Sequence, residues 1–423
     1  MTALTAPVRV AVGVNRRYLA AGTFAVLGVA DIVLFGSFAH PGDAVFALSL
    51  PGATPHVPSI RVPAATACYV FGAISIGLAV LRATTELSRR LKRLTIAVVL
   101  LCFLLSLLCW AAAGNSLPLN VVDLLQGTMT ASIPLILGAL AGCMCERSGV
   151  INIAIEGQLL FGAFTGAAVA SALGVTWLGL IGGSLAGGLL GLILAMFAIS
   201  FLVDQIILGV VLNVLAAGLT GYLYDRIMQP YASTFNAGNT FGTIKIPVLG
   251  NIPIIGPVFF DSNILLYITY ALIILVQVGL FSTRWGLRVR AVGEHPTAAD
   301  TVGIRVQWTR YRNVILGGMI AGIGGVYLTV GAVGFFNKDI SSGFGYIALA
   351  AMIFGRWTPL GSVAAALLFG FSTQLSAALG ILSVPVPSFI LLMVPYVATI
   401  IAVAGLVGRV RPPAADGRPY VKA

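Results

Sequence analysis

Charged residues are scarce in this chain of 423 residues, since Asp, Glu, Lys and Arg make up only 9% of it. A soluble domain carries about 25% charged residues, so a chain of this composition could not cover a water-facing surface of its size. Hydrophobic residues account for 59%, and glycine, which membrane helices tolerate well, occurs 50 times. The apolar runs are continuous rather than alternating, which disfavours a β-barrel. The composition therefore predicts an all-α polytopic membrane protein.

The signatures of nucleotide-binding and hydrolytic sites are missing as well. The sequence contains no G-x-x-x-x-G-K-[ST] phosphate-binding loop, and none of its four lysines follows a glycine. H-E-x-x-H and G-x-S-x-G are also absent. The five cysteines and three histidines are too scattered to form a metal site. We therefore expect that the chain is not an enzyme and that it binds no metal and no cofactor of its own.

The net charge of +11 is explained by where the basic residues lie. Eighteen of the 24 Lys and Arg residues fall into four short tracts. Such clustering follows the positive-inside rule and predicts that all four tracts, and with them both termini, are cytoplasmic. A nucleic-acid-binding surface is not expected. The tracts are Arg9–Arg17, Arg82–Arg93, Arg284–Arg312 and Arg409–Lys422.

Continuous apolar runs define the predicted membrane crossings. A crossing needs about 20 apolar residues, and by this measure the chain holds roughly ten to twelve transmembrane helices. The first run, 18–39, is long enough to span and lacks a small-residue cleavage site, so we interpret it as a retained helix. Broken or short helices are expected near 146–158 and 341–361, where polar residues, glycine and proline interrupt the pattern. The other runs are 63–81, 94–113, 121–142, 177–202, 206–224, 264–282, 314–333, 359–379 and 389–407.

The segment 145–163 places polar side chains at membrane depth, where a charge costs about 2.5–3.5 kcal/mol on insertion scales. Asn152 and Glu156, at i and i+4, share one helical face. Two interpretations stay open for them: they line a transport path or gate, or they hydrogen-bond between helices. The same alternatives apply to Asn213 in the run 206–224. The candidate path residues are Asn152, Glu156, Gln158 and Asn213, and the candidate gating or interface residues are Glu146, Arg147 and Asp204.

The basic segment 284–312 contains a helix that is too short to cross a membrane. Pro296 suits the first position of a helix, and Gly303 suits the position just past its end. The small side chains of Ala298 and Ala299, with Val302, then offer a compact contact surface. Either this segment is a solvated basic loop that only sets orientation, or it docks a cytoplasmic partner.

Three segments together resemble the permeases of bacterial ABC importers in the branched-chain amino acid and ribose-type superfamily, most closely the nucleoside-type permeases. The family run E-R-x-G-x-x-N-I-x-x-E-G follows a proline-containing helix. Here that run is Glu146, Arg147, Gly149, Asn152, Ile153, Glu156 and Gly157. The family run W-G-x-x-x-R-A-x-G-x-x-P-x-A-A-x-x-x-G-I corresponds to Trp285, Gly286, Arg290, Ala291, Gly293, Pro296, Ala298, Ala299, Gly303 and Ile304. The third segment is 345–361, and departures from the family pattern are Ala154, Asp204 and Gln205.

The resemblance implies a transport subunit of the bacterial plasma membrane that works with several partners. These are ABC ATPase subunits that bind ATP and Mg²⁺, a second permease that is a different chain, a substrate-binding lipoprotein on the outer side, and membrane lipid. The short helix would couple the permease to the ATPase. The implied coupling residues are Gly286, Arg288, Arg290, Gly293, Glu294, Pro296, Ala298, Ala299 and Gly303.

The resemblance also implies an organisation and a function. We expect N-terminal helices that match the family weakly over 1–115, a permease core over 116–410, and a disordered cytoplasmic tail over 411–423. The expected function is import of nucleosides. Import of a simple sugar or a branched-chain amino acid is the alternative within the family, and a stand-alone secondary transporter or channel is the alternative outside it.

Overall fold

This computed structural model describes residues 16–52, 56–382, 384, 393 and 411–422. Helices dominate these residues. The α-helices are α1 (Arg16–Ala30), α2 (Ala64–Thr84), α3 (Arg89–Ala112), α4 (Val121–Glu146), α5 (Ile155–Leu173), α6 (Thr176–Ala195), α7 (Gln205–Leu223), α8 (Ala232–Phe235), α9 (Ile255–Phe259), α10 (Ile264–Ser282), α11 (Arg284–Glu294), α12 (Pro296–Thr301), α13 (Val306–Val326), α14 (Phe344–Phe354) and α15 (Pro359–Ile381). π-Helical turns extend α1, α6, α7 and α13, over Asp31–Gly36, Met196–Ser200, Tyr224–Met228 and Tyr327–Val333.

Five short strands and one 3₁₀ turn lie in the connections. The strands are β1 (Asp43–Ala47), β2 (Ile60–Pro63), β3 (Leu119–Asn120), β4 (Thr243–Lys245) and β5 (Asp261–Asn263), and the 3₁₀ turn is Leu249–Asn251. β1 pairs antiparallel with β2, Val45 opposite Arg61, and parallel with β3, Phe46 opposite Leu119. β4 and β5 form a separate antiparallel pair, with Ile244 opposite Ser262.

Several helices begin where the sequence supplies a capping side chain. A cap is needed because the first N–H groups of a helix have no partner within it. The Asp204 carboxylate accepts hydrogen bonds from the N–H groups of Ile206 and Ile207, at 2.9 and 3.0 Å, and so starts α7. Thr283 caps α11 in the same way through the N–H of Gly286, at 3.1 Å.

Nine helices in the described part of the chain are long and apolar enough to cross a membrane. They are α1 with its π-helical extension, α2, α3, α4, α6, α7, α10, α13 and α15. Each coincides with a predicted run, so the fold class is confirmed. α14, with 11 residues, is the short helix expected near 341–361, and α5 starts only at Ile155, after the interruption expected near 146–158. The last predicted run, 389–407, lies almost entirely outside the described residues.

The chain divides into two compact units. Unit 1 contains residues 1–121 and 378–385 and is built on α1, α2 and α3. Within it, α1 and α2 approach closely at Gly28 and Gly72, where a Cβ on either residue would overlap the other's carbonyl oxygen. Asp31, on the π-helical extension of α1, is fully buried in this unit.

Unit 2 contains residues 122–377 and 386–423. α4 and α13 are its most buried long helices. α6 and α13 touch backbone to backbone, because a Cβ on Gly187 would overlap the carbonyl oxygen of Gly318 and one on Gly322 would overlap that of Gly183. Such close contact between helices is typical of membrane proteins, in which small residues allow dispersion contacts along the backbones.

Residues 411–422 also belong to unit 2 and pack against it. Ala415 is 4% exposed and Tyr420 is 8% exposed. This differs from the expectation of a disordered tail. The physical reason is that the tail, although polar overall, carries Tyr420, which joins an apolar cluster with Val292, Ala299 and Val306.

Candidate functional site

The carboxylate of Glu156 lies at the N-terminus of the short helix α14. Oε1 accepts hydrogen bonds from the Ser341 hydroxyl at 2.6 Å and from the Gly343 N–H at 2.8 Å. Oε2 accepts from the Gly345 N–H at 2.6 Å. A negative charge is favourable at a helix N-terminus, where N–H groups lack partners within the helix. Glu156, in the first turn of α5, therefore caps α14 across a sequence distance of nearly 190 residues.

The other end of α14 is held by the end of α4. Glu146 is 4% exposed, and its Oε2 accepts a hydrogen bond from the indole N–H of Trp357 at 2.5 Å. Arg147 donates through Nε to the backbone carbonyl of Trp357 at 2.7 Å and through Nη2 to that of Arg356 at 3.3 Å. The segment 146–156 thus holds α14 at both ends, and the short helix is expected to move with this segment.

The backbone on both sides of α14 adopts an uncommon conformation. Asp339 and Ser342 precede the helix with φ angles of +53° and +43°, and Arg356 and Trp357 follow it with φ angles of +55° and +53°. A non-glycine residue in this left-handed conformation costs on the order of 1–3 kcal/mol, and such residues cluster at functional sites. The hydrogen bonds to Glu146, Arg147 and Glu156 help to hold this strained backbone in place.

The predicted path residue Asn213 connects α7 to the start of α5 and to α14. Its Oδ1 accepts from the Gly157 N–H at 2.8 Å, and its Nδ2 donates to the Ile153 carbonyl at 2.9 Å and to the Tyr346 hydroxyl at 3.2 Å. Asn213 is 6% exposed, whereas Tyr346 is 49% exposed. Through Tyr346, this buried network reaches the surface of the unit.

Asn152 and Gln158 lie deeper than the other predicted path residues. Both are fully buried, and the Asn152 amide donates to the Gln158 Oε1 at 3.0 Å and to the Cys145 sulfur at 3.4 Å. The Asn152 Oδ1 and the Gln158 Nε2 have no hydrogen-bond partner among the described residues. The structure thus brings Asn152, Glu156, Gln158 and Asn213 together around the start of α5.

Asp204 stands apart from this group, because its carboxylate caps α7 and is solvent-exposed. Its neighbour Gln205, which the sequence analysis did not select, is 4% exposed and its Oε1 accepts from the Ile151 N–H at 2.7 Å. The start of α7 is thereby attached to the segment that connects α4 and α5.

The predicted coupling segment forms α11 and α12 and packs directly on the connection between α4 and α5. A Cβ on Gly293 would overlap the carbonyl oxygen of Arg147, and a Cβ on Gly286 would overlap the last carbonyls of α10. The two glycines allow α11 to approach both backbones. Arg147 and Arg290 both lie over the ring of Phe281, at 5.5 and 5.1 Å, and burial lowers the pKa of Arg147.

The remaining coupling residues fall on two sides of this segment. Ala298 is exposed, whereas the adjacent Ala299 is 4% exposed and faces inward. The two alanines separate because successive residues on a helix point about 100° apart. Pro296 begins α12, and Gly303 follows it with a φ of +85° and open space around its Cα. The exposed members of the set are Arg288, Glu294, Ala298 and Gly303.

Six further residues of this region were not selected from the sequence. Ser341 and Trp357 lie in or next to the third family segment, so their position near the motif was the available signal. Arg310 and Asp416 lie in tracts interpreted as orientation charges, and nothing in the local pattern marks Arg310 as buried or Asp416 as partly buried. The six residues are Ser341, Tyr346, Trp357, Arg310, Asp416 and Tyr420.

Residues 124–404 match the family described as "Branched-chain amino acid transport system / permease component". This match covers well over half of the chain. The chain belongs to this permease family. The sequence-based assignment is thereby confirmed, and the family match begins just after the first stretch of unit 1, residues 1–121.

Curated relatives carry the comparison further. The permease is 42% identical over 318 residues to a guanosine ABC transporter permease of Bacillus subtilis (NupQ), covering 72% of this chain and 99% of that one. It is 37% identical over 319 residues to a nucleoside ABC transporter permease of Lactococcus lactis (NupC), with the same coverage. A second guanosine ABC transporter permease of B. subtilis (NupP) is 26% identical over 264 residues, 60% of this chain and 72% of that one. No solved structure matches the chain.

Proposed function

We propose that this permease is a membrane subunit of an ATP-driven ABC importer of nucleosides. The observation that carries the proposal is the 42% identity to a guanosine ABC transporter permease over 99% of that protein's length. The geometry supports it, because α14 is a short helix with polar attachments at both ends, within a bundle of long apolar helices. Interrupted helices of this kind build substrate paths at membrane depth.

The substrate path is proposed to run beside the contact between α5, α7 and α14. Asn213 and Tyr346 provide amide and hydroxyl groups there, and Tyr346 adds an exposed aromatic ring. A nucleoside offers hydroxyl groups on its ribose and an aromatic face on its base. The groups on the two sides are therefore chemically complementary.

ATP and Mg²⁺ are proposed to bind in a separate ABC ATPase that docks on the cytoplasmic face of α11 and α12. A groove of about 610 Å³ lies between these helices and the start of α13. Leu287, Val302 and Trp308 at the groove are 62–76% exposed, and Arg288 and Arg305 lie beside them. An apolar surface rimmed by charge on the outside of a bundle is typical of a protein–protein contact.

The other partners are proposed on the basis of the relatives. Two guanosine permeases of one organism, NupQ and NupP, both resemble this chain but to different degrees, which supports a path formed with a second, different permease. A substrate-binding lipoprotein would deliver the nucleoside from outside. The permease would lie in the bacterial plasma membrane, with both termini in the cytoplasm, as the basic tracts favour.

Movement of the docked ATPase is proposed to reach the path through a short series of contacts. α11 contacts the Arg147 backbone at Gly293, Arg147 holds the turn after α14, and Glu156 holds the start of α14. A displacement of α11 and α12 would therefore displace both ends of α14. Such a contact series transmits a change only if it has two arrangements that ATP and substrate favour differently.

Uptake in a reconstituted system tests the proposed function. The four proteins are reconstituted together in proteoliposomes: the permease, its ATPase, the second permease and the lipoprotein. These vesicles are expected to accumulate radiolabelled guanosine or inosine only when ATP is enclosed in the lumen, which the ATPase faces. A lysine-to-alanine change in the ATPase's phosphate-binding loop is the control and should abolish uptake. Uptake that persists with this ATPase variant would favour a secondary transporter or channel, and uptake of pentose or leucine in place of nucleosides would overturn the substrate class.

A further inference from the structure

Residues 411–422 lie across the surface formed by α11, α13 and the connection between α4 and α5. The Ala415 N–H donates to the carbonyl of Gly293 at 2.9 Å, and the Ala414 N–H donates to the Glu294 carboxylate at 3.1 Å. Arg310 of α13, which is 1% exposed, donates through Nη1 to the carbonyl of Arg418 at 3.0 Å. The segment is thus attached by its backbone to two helices that are distant from it in sequence.

Tyr420 anchors the far end of this segment. It is 8% exposed and belongs to one apolar cluster with Val292 of α11, Ala299 of α12 and Val306 of α13. The next residue, Val421, is 67% exposed. An aromatic ring of this size buries about 150–250 Å² and dominates the energy of a small cluster. Ala299, the inward-facing residue of α12, is therefore covered by the chain's own C-terminal segment.

The near end of the segment reaches the groups that hold α14. Asp416 lies against Glu146 and near the guanidinium of Arg310. Gly417 has a φ of +71° and fits against Ile151, so that a Cβ there would overlap the isoleucine side chain. Glu146 in turn holds Trp357 after α14. One continuous set of contacts therefore runs from α12 through the C-terminal segment to α14.

We propose that residues 411–422 form a strap that makes α12 and the segment 146–156 move together, with Tyr420 as its positioning residue. The proposal rests on the proposed function, because it concerns how the ATPase-driven movement of α12 reaches the path. α11 provides a direct contact to Arg147, but α12 itself is only six residues long and its inward side meets α11, α13 and Tyr420. The strap adds a second route, from the inward side of α12 to Glu146 and Ile151.

The test compares Tyr420→Ala with Val421→Ala in the complete complex with ATPase, second permease and lipoprotein. All activities are measured per assembled complex. Tyr420→Ala is expected to retain ATPase co-purification and basal ATP hydrolysis, and to lose substrate-stimulated hydrolysis and uptake by about tenfold, within the usual range of coupling between sites. Val421→Ala should behave as the unaltered chain, and Tyr420→Phe, which keeps the ring, should recover most of the loss.

Three results would overturn the strap. The first is equal stimulation and uptake for Tyr420→Ala and Val421→Ala. The second is a lower amount of complex for Tyr420→Ala with unchanged activity per complex. If Tyr420→Ala fails to assemble, Tyr420→Leu serves as the second variant. The third overturning result is then full activity of Tyr420→Leu, which would assign Tyr420 to folding alone. An intermediate loss of stimulation in Tyr420→Leu would support the strap. Uptake by the unaltered chain tests the proposed function separately.

Discussion

At the scale of single residues, Glu156 decides how α14 is held. Its carboxylate accepts three hydrogen bonds, two of them from N–H groups at the start of α14. A carboxylate offers about four acceptor positions, so these donors use most of its capacity. The observed geometry gives Glu156 a definite structural contact, which the sequence analysis had left as one of two alternatives.

We expect Glu156→Gln to lower the stability of the permease by about 1.5–3 kcal/mol, the usual worth of a hydrogen bond to a charged group. The amide keeps one acceptor oxygen, but its NH₂ group faces a donor. The measurement is the thermal unfolding of purified permease in detergent. Glu86→Gln is the matched control, since the Glu86 side chain is 91% exposed. Unchanged unfolding together with lost uptake would instead assign Glu156 to the substrate path.

At the scale of secondary-structure elements, the strap places the partly buried Asp416 against the buried Glu146 at the end of α4. Burial raises the pKa of Asp416 to about 7, from an ordinary value of 3.8, although the hydrogen bond with Glu146 and the charge of Arg310 act in the opposite direction. A carboxyl whose pKa is raised in the packed state binds its proton more tightly there than in the detached state. Attachment of the strap is therefore strongest below pH 4 and weakens as the pH rises to about 7.

This dependence predicts a measurable change in the mobility of the strap. A nitroxide label on Val421→Cys should become more mobile as the pH rises from about 4 to about 7. The five native cysteines are buried, so labelling is expected at the introduced thiol. Asp416→Asn, which removes one of the two carboxyl groups that face each other, should reduce the change. An undiminished change in Asp416→Asn would contradict this account.

At the scale of the whole molecule, the larger stretch of unit 1, residues 1–121, precedes the family match, which begins at residue 124. The NupQ relative is covered over 99% of its length by 72% of this chain. Less than three quarters of this chain thus suffices to match that relative almost completely.

We expect a chain that lacks residues 2–87 to insert with the normal orientation and to keep uptake. The basic residues 89–93 remain at the start of α3 and retain the charge bias that sets orientation. The measurements are the amount of permease in the membrane and nucleoside uptake per permease. The control lacks residues 2–93, and it should insert poorly because the basic tract is gone. Equal insertion of both truncated chains would contradict the role assigned to this tract.

Much of the architecture followed from the sequence, because it depends on residues close together in the chain. Continuous apolar runs located the helices, whereas Asp204, selected as a gating or interface candidate, caps α7. Pro296 began α12 as expected. The short helix near 341–361 was predictable for the same reason, since its apolar part is too brief to cross a membrane.

The pairing of distant groups depended on tertiary structure. Glu156 meets Gly345 across 189 positions, and no local pattern specifies which N–H groups a carboxylate will find. Ala298 and Ala299 are adjacent alanines, yet Ala299 is buried in the cluster that contains Tyr420, whereas Ala298 is exposed. Hydropathy and capping act over a few residues, whereas the burial of a side chain depends on whichever segment packs against it. The candidate site residues could therefore be named from their motifs, but the contacts that hold α14 and α12 appear only when the chain has folded.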